Sequence, residues 1–170
     1  MIESLYEPFR HWAVTGSVYL LGDTHFDDSD AHMMDPDMIS AEEQLDIINS
    51  TVRKNDTFIC LGDVGDLKYI PLIKAGQKVL LLGNHDRKAD YRDCFDEMYT
   101  GPLFIAEKIL LSHEPVPGLP WCFNIHGHDH GNKTTFPDDC KHINLAANVC
   151  GYKPESLAVL IKDGTMSGIP

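Results

Sequence analysis

Five short polar motifs occur in order along the chain, and each ends a β-like apolar run. Asp23-Thr24-His25 comes after Val18-Tyr19-Leu20-Leu21, and Gly62-Asp63-Val64-Gly65-Asp66 after Phe58-Ile59-Cys60-Leu61. Gly83-Asn84-His85-Asp86 comes after Val79-Leu80-Leu81-Leu82. Ser112-His113-Glu114 follows Ile109-Leu110-Leu111, and Gly127-His128-Asp129-His130 follows Cys122-Phe123-Asn124-Ile125. Short apolar runs of this kind read as buried strands, so the polar residues gather at strand ends. Carboxylate, amide and imidazole donors gathered there form the ligand set for hard or borderline divalent cations.

Seven residues are candidate metal ligands: Asp23, His25, Asp63, Asn84, His113, His128 and His130. In Asp23-x-His25 and His128-x-His130 the donors are two residues apart, which on extended backbone puts them on one face. Asp63 sits centrally in the series, where a carboxylate can bridge two cations. Two divalent ions roughly 3.5–4 Å apart activate a water and clamp the oxygens of an in-line displacement at phosphorus. The plainer reading is turn capping, which Asp and Asn commonly do at strand ends. It would need all seven positions to coincide.

The rest of the chain sets the architecture. Residues 18–22, 57–61 and 77–82 read as strands. Residues 41–54 read as a helix, with Leu45, Ile48 and Val52 at helical spacing and a Ser40/Glu43 capping box. Residues 67–75 read as a short helix closed by Gly76, and 91–99 as another. This order predicts parallel strands with crossover helices. In the second half, 103–106 and 108–111 read as a hairpin around Glu107, and 122–125, 142–146 and 157–161 as strands, with Lys162-Asp163-Gly164 turning into the tail. Residues 115–120 hold three prolines and a glycine, a rigid loop. Residues 27–37 form an acidic segment containing His32, read as a solvated insertion in preference to a lid.

Composition excludes some partners. The 170 residues are enough for one domain spanning 1–170, with a core of about 18–161. A net charge of −12 argues against extensive duplex nucleic-acid or membrane-surface binding, which wants a basic face. The five cysteines, Cys60, Cys94, Cys122, Cys140 and Cys150, are odd in number and form no CxxC, as expected of reduced thiols in a cytoplasmic protein. The N-terminus lacks the pattern of a signal peptide, and no apolar run approaches the roughly 20 residues of a membrane span.

The order D-x-H, G-D-x-x-D, G-N-H-D, a lone His and G-H-x-H resembles the calcineurin-like metallophosphoesterase superfamily, in particular its small single-domain branch in bacteria and phages. The stretches Leu82-Gly83-Asn84-His85-Asp86-Arg87, Leu111-Ser112-His113-Glu114-Pro115 and Ile125-His126-Gly127-His128-Asp129-His130 carry the likeness, with Asn148-Val149 and Tyr152-Lys153-Pro154. It extends from about Val18 to Ile161 and leaves out residues 1–17. It implies a four-layer α/β/β/α sandwich of two mixed β-sheets flanked by helices, the metallo-dependent phosphatase fold.

It also implies roles. One metal would take Asp23, His25, Asp63 and His130, and the other Asp63, Asn84, His113 and His128. A metal-bridging hydroxide would be the nucleophile. His85 would serve the leaving oxygen as general acid or hydrogen-bond donor, oriented by Asp66. Arg87 is a candidate contact for a phosphate oxygen. Manganese is the first expectation for the two ions, with iron, zinc, cobalt and nickel behind it.

The expected activity is hydrolysis of phosphodiesters, and of phosphomonoesters too, on small organic or nucleotide substrates. A nuclease acting on short nucleic acids is the second enzymatic reading. A protein-binding scaffold of the same fold is the reading from another class, and a homodimer is compatible with either. One departure stands out: larger members of the superfamily place Arg after the second Asp of the second motif, where this chain has Leu67.

Overall fold

The structure, a computed structural model, describes residues 2–131, 141–163 and 166; Cys140 and Gly164 lie outside them. Strands β1 (Val18–Leu21), β2 (Thr57–Cys60) and β3 (Gln77–Leu81) run parallel, with Leu20 opposite Ile59 and Ile59 opposite Val79. β4 (Glu97–Tyr99) adds in parallel beyond β3, and β9 (Glu155–Ser156) pairs antiparallel with β1. The second sheet is β5 (Leu103–Ala106), β6 (Ile109–Leu111), β7 (Phe123–His126) and β8 (Lys141–Asn144) in that order. Its β5–β6 hairpin is antiparallel and its other pairs are parallel.

Alternation along the strands decides what each face covers. Val18, Leu20, Ile59, Leu61, Val79 and Leu81 point inward, in one cluster with Ile109, Leu111, Phe123 and Ile125 of the second sheet. Leu21, Phe58, Cys60 and Leu80 point outward, under Ile48 of the helix Ala41–Thr51, Tyr69 and Ile70 of a 310 helix (Leu67–Leu72) and the Tyr91 that ends the short helix Lys88–Tyr91. With both faces covered, β2 is buried at every position, as a central parallel strand should be. Two mixed sheets flanked by helices are the arrangement the resemblance implies. The Ser40/Glu43 capping box starts the helix Ala41–Thr51 as read from the sequence.

Two elements differ from the sequence reading. Residues 91–99 are not a helix: the helix ends at Tyr91, and Glu97-Met98-Tyr99 joins the sheet opposite Val79-Leu80-Leu81. Residues 157–161 are not a strand: Leu157–Lys162 is a helix that buries Leu157 and Leu160 and exposes Val159. A short apolar run fits either element, and here i,i+3 burial wins.

The N-terminal segment belongs to the core. A 310 helix (Glu7–Ala13) packs Phe9 and Trp12 between the sheets. Its Trp12 carbonyl accepts the Thr57 hydroxyl at 2.8 Å, and Glu97 accepts the Trp12 indole N–H at 3.1 Å. Thr57 and Glu97 begin β2 and β4, so this helix closes the amino end of the first sheet. At the carboxyl end the Gly22 N–H donates to the Leu145 carbonyl, and the Gly22 carbonyl accepts the Ala147 N–H, both at 2.9 Å. These two bonds tie the sheets together beside the polar motifs.

Candidate metal centre

The backbone turns hard where the strands end. Asp23, His25, Asp63 and His128 have φ of 55°, 41°, 53° and 66°. Left-handed backbone is uncommon outside glycine, is tolerated best by Asp, Asn and His, and clusters at functional sites. Neighbouring loops hold it in place: the Asp23 N–H donates to Gly62 O at 2.8 Å and the His25 N–H to Asp63 O at 3.0 Å. Two glycines let ligand carboxylates approach the chain, since a Cβ on Gly83 would land on Asp63 Oδ1 and one on Gly127 on Asp23 Oδ2.

The turns gather the candidates into two groups, Asp23 with His25 and His130, and Asp63 with His113 and His128. In the first, His130 Nε2 lies 3.6 Å from Asp23 Oδ1. Asp23 Oδ1 and His25 Nε2 are buried and have no hydrogen-bond partner among the described residues. In the second, Asn84 Oδ1 lies 2.8 Å from His113 Nε2 and 3.2 Å from His128 Nδ1, and those two nitrogens are 3.2 Å apart. Asp63 Oδ2 stands between the groups, 3.3 Å from His113 Nε2 and 3.7 Å from His25 Nε2. All seven predicted ligand residues therefore converge.

This convergence fits divalent cations. His113 Nδ1 lies 2.9 Å from the Leu61 carbonyl, which places the ring proton there and leaves a lone pair on Nε2. That lone pair faces the Asn84 oxygen and the Asp63 carboxylate, an arrangement of acceptors that a positive charge resolves. Without a metal, a proton fills this role. Burial opposes charging His113, but the hydrogen bond to Asp63 and the fields of Asp23 and Asp63 outweigh it and raise its pKa to about 9. Burial raises Asp23 to about 7, against the pull of His113. Burial also lowers His130, with His25 adding to the effect, which favours the neutral, ligating imidazole.

Two side chains brace the ligands. Asp86 accepts the N–H groups of Asp63 and Gly83 on Oδ2, both at 2.8 Å, and that of Val64 on Oδ1 at 3.0 Å. It locks the second motif to the third. Asp28 Oδ2 lies 2.9 Å from His25 Nδ1 and turns Nε2 inward, the usual support for a metal-binding imidazole. Asp28 also caps the helix Ser29–Met34, so the 27–37 segment is part of the site's scaffold and not a plain solvated insertion. Its Asp27 is tied to Lys68 and Tyr69. The His25–Asp28 spacing of three residues is the signal that sequence reading passed over.

The remaining predicted residues lie outside the two ligand groups. His85 is exposed, with its ring 5.5 Å from the His25 ring in edge contact; among the described residues its ring nitrogens have no hydrogen-bond partner. Its N–H donates to Asp63 Oδ1 at 2.9 Å. Among the described residues Asp66 meets Lys68 and makes no hydrogen bond with His85. Its carboxylate caps the 310 helix through the Lys68 N–H and pairs with Lys68 Nζ at 3.1 Å, and Lys68 lowers its pKa. Arg87 is exposed at the N-cap of the short helix, with no ion pair among the described residues.

Residues 16–143 match the family model of calcineurin-like phosphoesterases. The chain belongs to that family. It is 27% identical over 164 residues to an uncharacterized protein of Methanocaldococcus jannaschii, covering 85% of this chain and 89% of that one. The crystal structure of a protein of unknown function from Aquifex aeolicus is similar at a TM-score of 0.72 and 25% identity, covering 86% of this chain and 98% of that chain. As a calcineurin-like phosphoesterase with two convergent ligand groups, the chain is a metal-dependent phosphoric ester hydrolase. Among the described residues, Cys60, Cys94 and Cys150 form no disulfide. No helix among the described residues is long and apolar enough to cross a membrane.

Proposed function

We propose that this phosphoesterase hydrolyses small phosphodiesters, including nucleotide diesters, at a two-metal centre. The observation that carries the reading is Asp63 Oδ2, placed between two groups that each offer imidazole and carboxylate donors. Asp23, His25, Asp63 and His130 would hold one ion, and Asp63, Asn84, His113 and His128 the other. Two divalent ions supply positive charge to a phosphoryl oxygen and acidify an attacking water. Manganese is the ion we expect, on a mixed oxygen and nitrogen donor set that other first-row metals also suit.

His85 is placed to protonate the leaving oxygen, since its ring is exposed beside His25 and has both nitrogens available. Arg87 offers an uncommitted guanidinium to a phosphoryl oxygen. Lys68, beside the second motif, is engaged by Asp27 and Asp66. The acidic Asp27, Asp28 and Asp30, directly after the first ligand motif, disfavour the dianion of a monoester relative to the single negative charge of a diester.

The test is hydrolysis of bis-p-nitrophenyl phosphate and p-nitrophenyl phosphate by metal-stripped protein reconstituted with manganese, iron, zinc or magnesium. Metal-dependent release, faster from the diester, is expected. Faster release from the monoester would refute the diester reading, and two bound metals with no turnover of either ester would favour a protein-binding scaffold.

A further inference from the structure

A cleft continues from the second ligand group between the carboxyl ends of the two sheets, with a volume of about 360 Å³. It opens onto Asn84 and His113. One wall is Leu82 and Pro102, and the other is Pro115, Val116 and Pro117 of the proline loop. The second wall is pinned: the Val116 N–H donates to Asn124 Oδ1 at 2.7 Å, and the buried Asn124 amide donates to the Ser112 hydroxyl at 2.8 Å. Prolines and this side-chain clamp give a preformed wall, so little ordering opposes binding. Among the described residues no Lys or Arg lines the cleft, and Glu114 is exposed at its lip.

We propose that this cleft is the subsite for the retained substituent of the diester, and that it selects an uncharged planar ring of aryl or nucleobase size. The inference rests on the phosphodiesterase reading. The side is set by His85: its ring lies against His25 of the first group, whereas the cleft opens on the second. The group that leaves is directed to His85, and the group that stays enters the cleft. Size admits a ring, apolar walls reward it, and Glu114 repels a substituent carrying its own phosphate or carboxylate.

The experiment uses manganese-reconstituted protein. Rates on bis-p-nitrophenyl phosphate and methyl p-nitrophenyl phosphate share a leaving group and differ in the retained one. Calorimetric binding of diphenyl and dimethyl phosphate gives a second readout independent of turnover. The wild type should favour the aryl member of each pair by about tenfold or more, the scale of burying one ring. Val116→Trp, which fills the cleft, should collapse both ratios toward unity, with the kinetic change carried by KM.

Should Val116→Trp fail to fold, Glu114→Lys keeps the test open. It should improve p-nitrophenyl 4-carboxyphenyl phosphate relative to the bis-nitrophenyl ester by about tenfold, as a reversed charge at the lip would. Diester turnover with no aryl preference, unchanged by either variant, overturns the subsite and leaves the phosphodiesterase reading standing. Aryl-selective binding with no diester turnover overturns that reading and leaves the cleft.

Discussion

Replacing Asp86 by Asn tests whether the two central motifs are held by one carboxylate. Asp86 takes three backbone N–H groups from Asp63, Val64 and Gly83. Asn keeps one acceptor oxygen and turns an amine, itself a donor, toward at least one of those N–H groups. Hydrogen bonds to a charged group contribute about 1.5–3 kcal/mol each, so losing one or two and the charge costs about 2–4 kcal/mol. For a chain of this size that lowers Tm by roughly 4–16 °C. The assay is thermal unfolding in chelator, so that metal linkage does not mask the effect, followed by a metal titration. The control is Asp66→Asn, whose carboxylate among the described residues bonds Lys68 alone and which should stay within about 2 °C, as exposed ion pairs do. An Asp86→Asn protein that melts with the control and keeps wild-type metal affinity would refute the brace.

Three further outcomes follow from the same geometry. Asp28→Asn removes the carboxylate behind His25 and should weaken metal binding by about 10–100-fold, read by chelator competition. His85→Ala should cut turnover by about a hundredfold or more while bound metal, counted by elemental analysis, stays at the wild-type level. Asp23 and His113 have folded pKa values near 7 and 9, above their ordinary 3.8 and 6.5. Groups raised in the folded state stabilise it below the unfolded value, and that stability fades as pH climbs through the folded one. The metal-free protein should therefore lose Tm between pH 6 and 9, and the gain in Tm on adding manganese should widen over that interval; a constant gain would contradict this.

How much of this was legible in the sequence depended on how local the cause was. Apolar runs that end at Asp, Gly and His marked the strands and their order, because burial and chain reversal leave local signatures. The capping box at Ser40 and Glu43 was readable for the same reason. Glu97-Met98-Tyr99 was not, because it becomes a strand only by lying against Val79-Leu80-Leu81. Leu157-Ala158-Val159-Leu160-Ile161 suits either period and took the helix that buries Leu157 and Leu160. At the site, donor chemistry singled out the seven ligands. Asp66 was read from its place in the motif, whereas its carboxylate caps the turn at Lys68, two residues on. Phe9 and Trp12 give no motif at all, and their place between the sheets emerges only in three dimensions.

Each ligand group draws donors from both sheets. Asp23 and His25 leave β1 while His130 follows β7, and Asp63 follows β2 while His113 and His128 follow β6 and β7. A cation in either group is thus a rivet through the two halves of the sandwich, fastening positions about a hundred residues apart in the first case. Metal starvation would then do more than silence the enzyme. It would slacken the seam between the sheets, quicken amide exchange along β1 and β7, and expose the chain to proteases. The supply of metal would govern how long each molecule survives as well as whether it works.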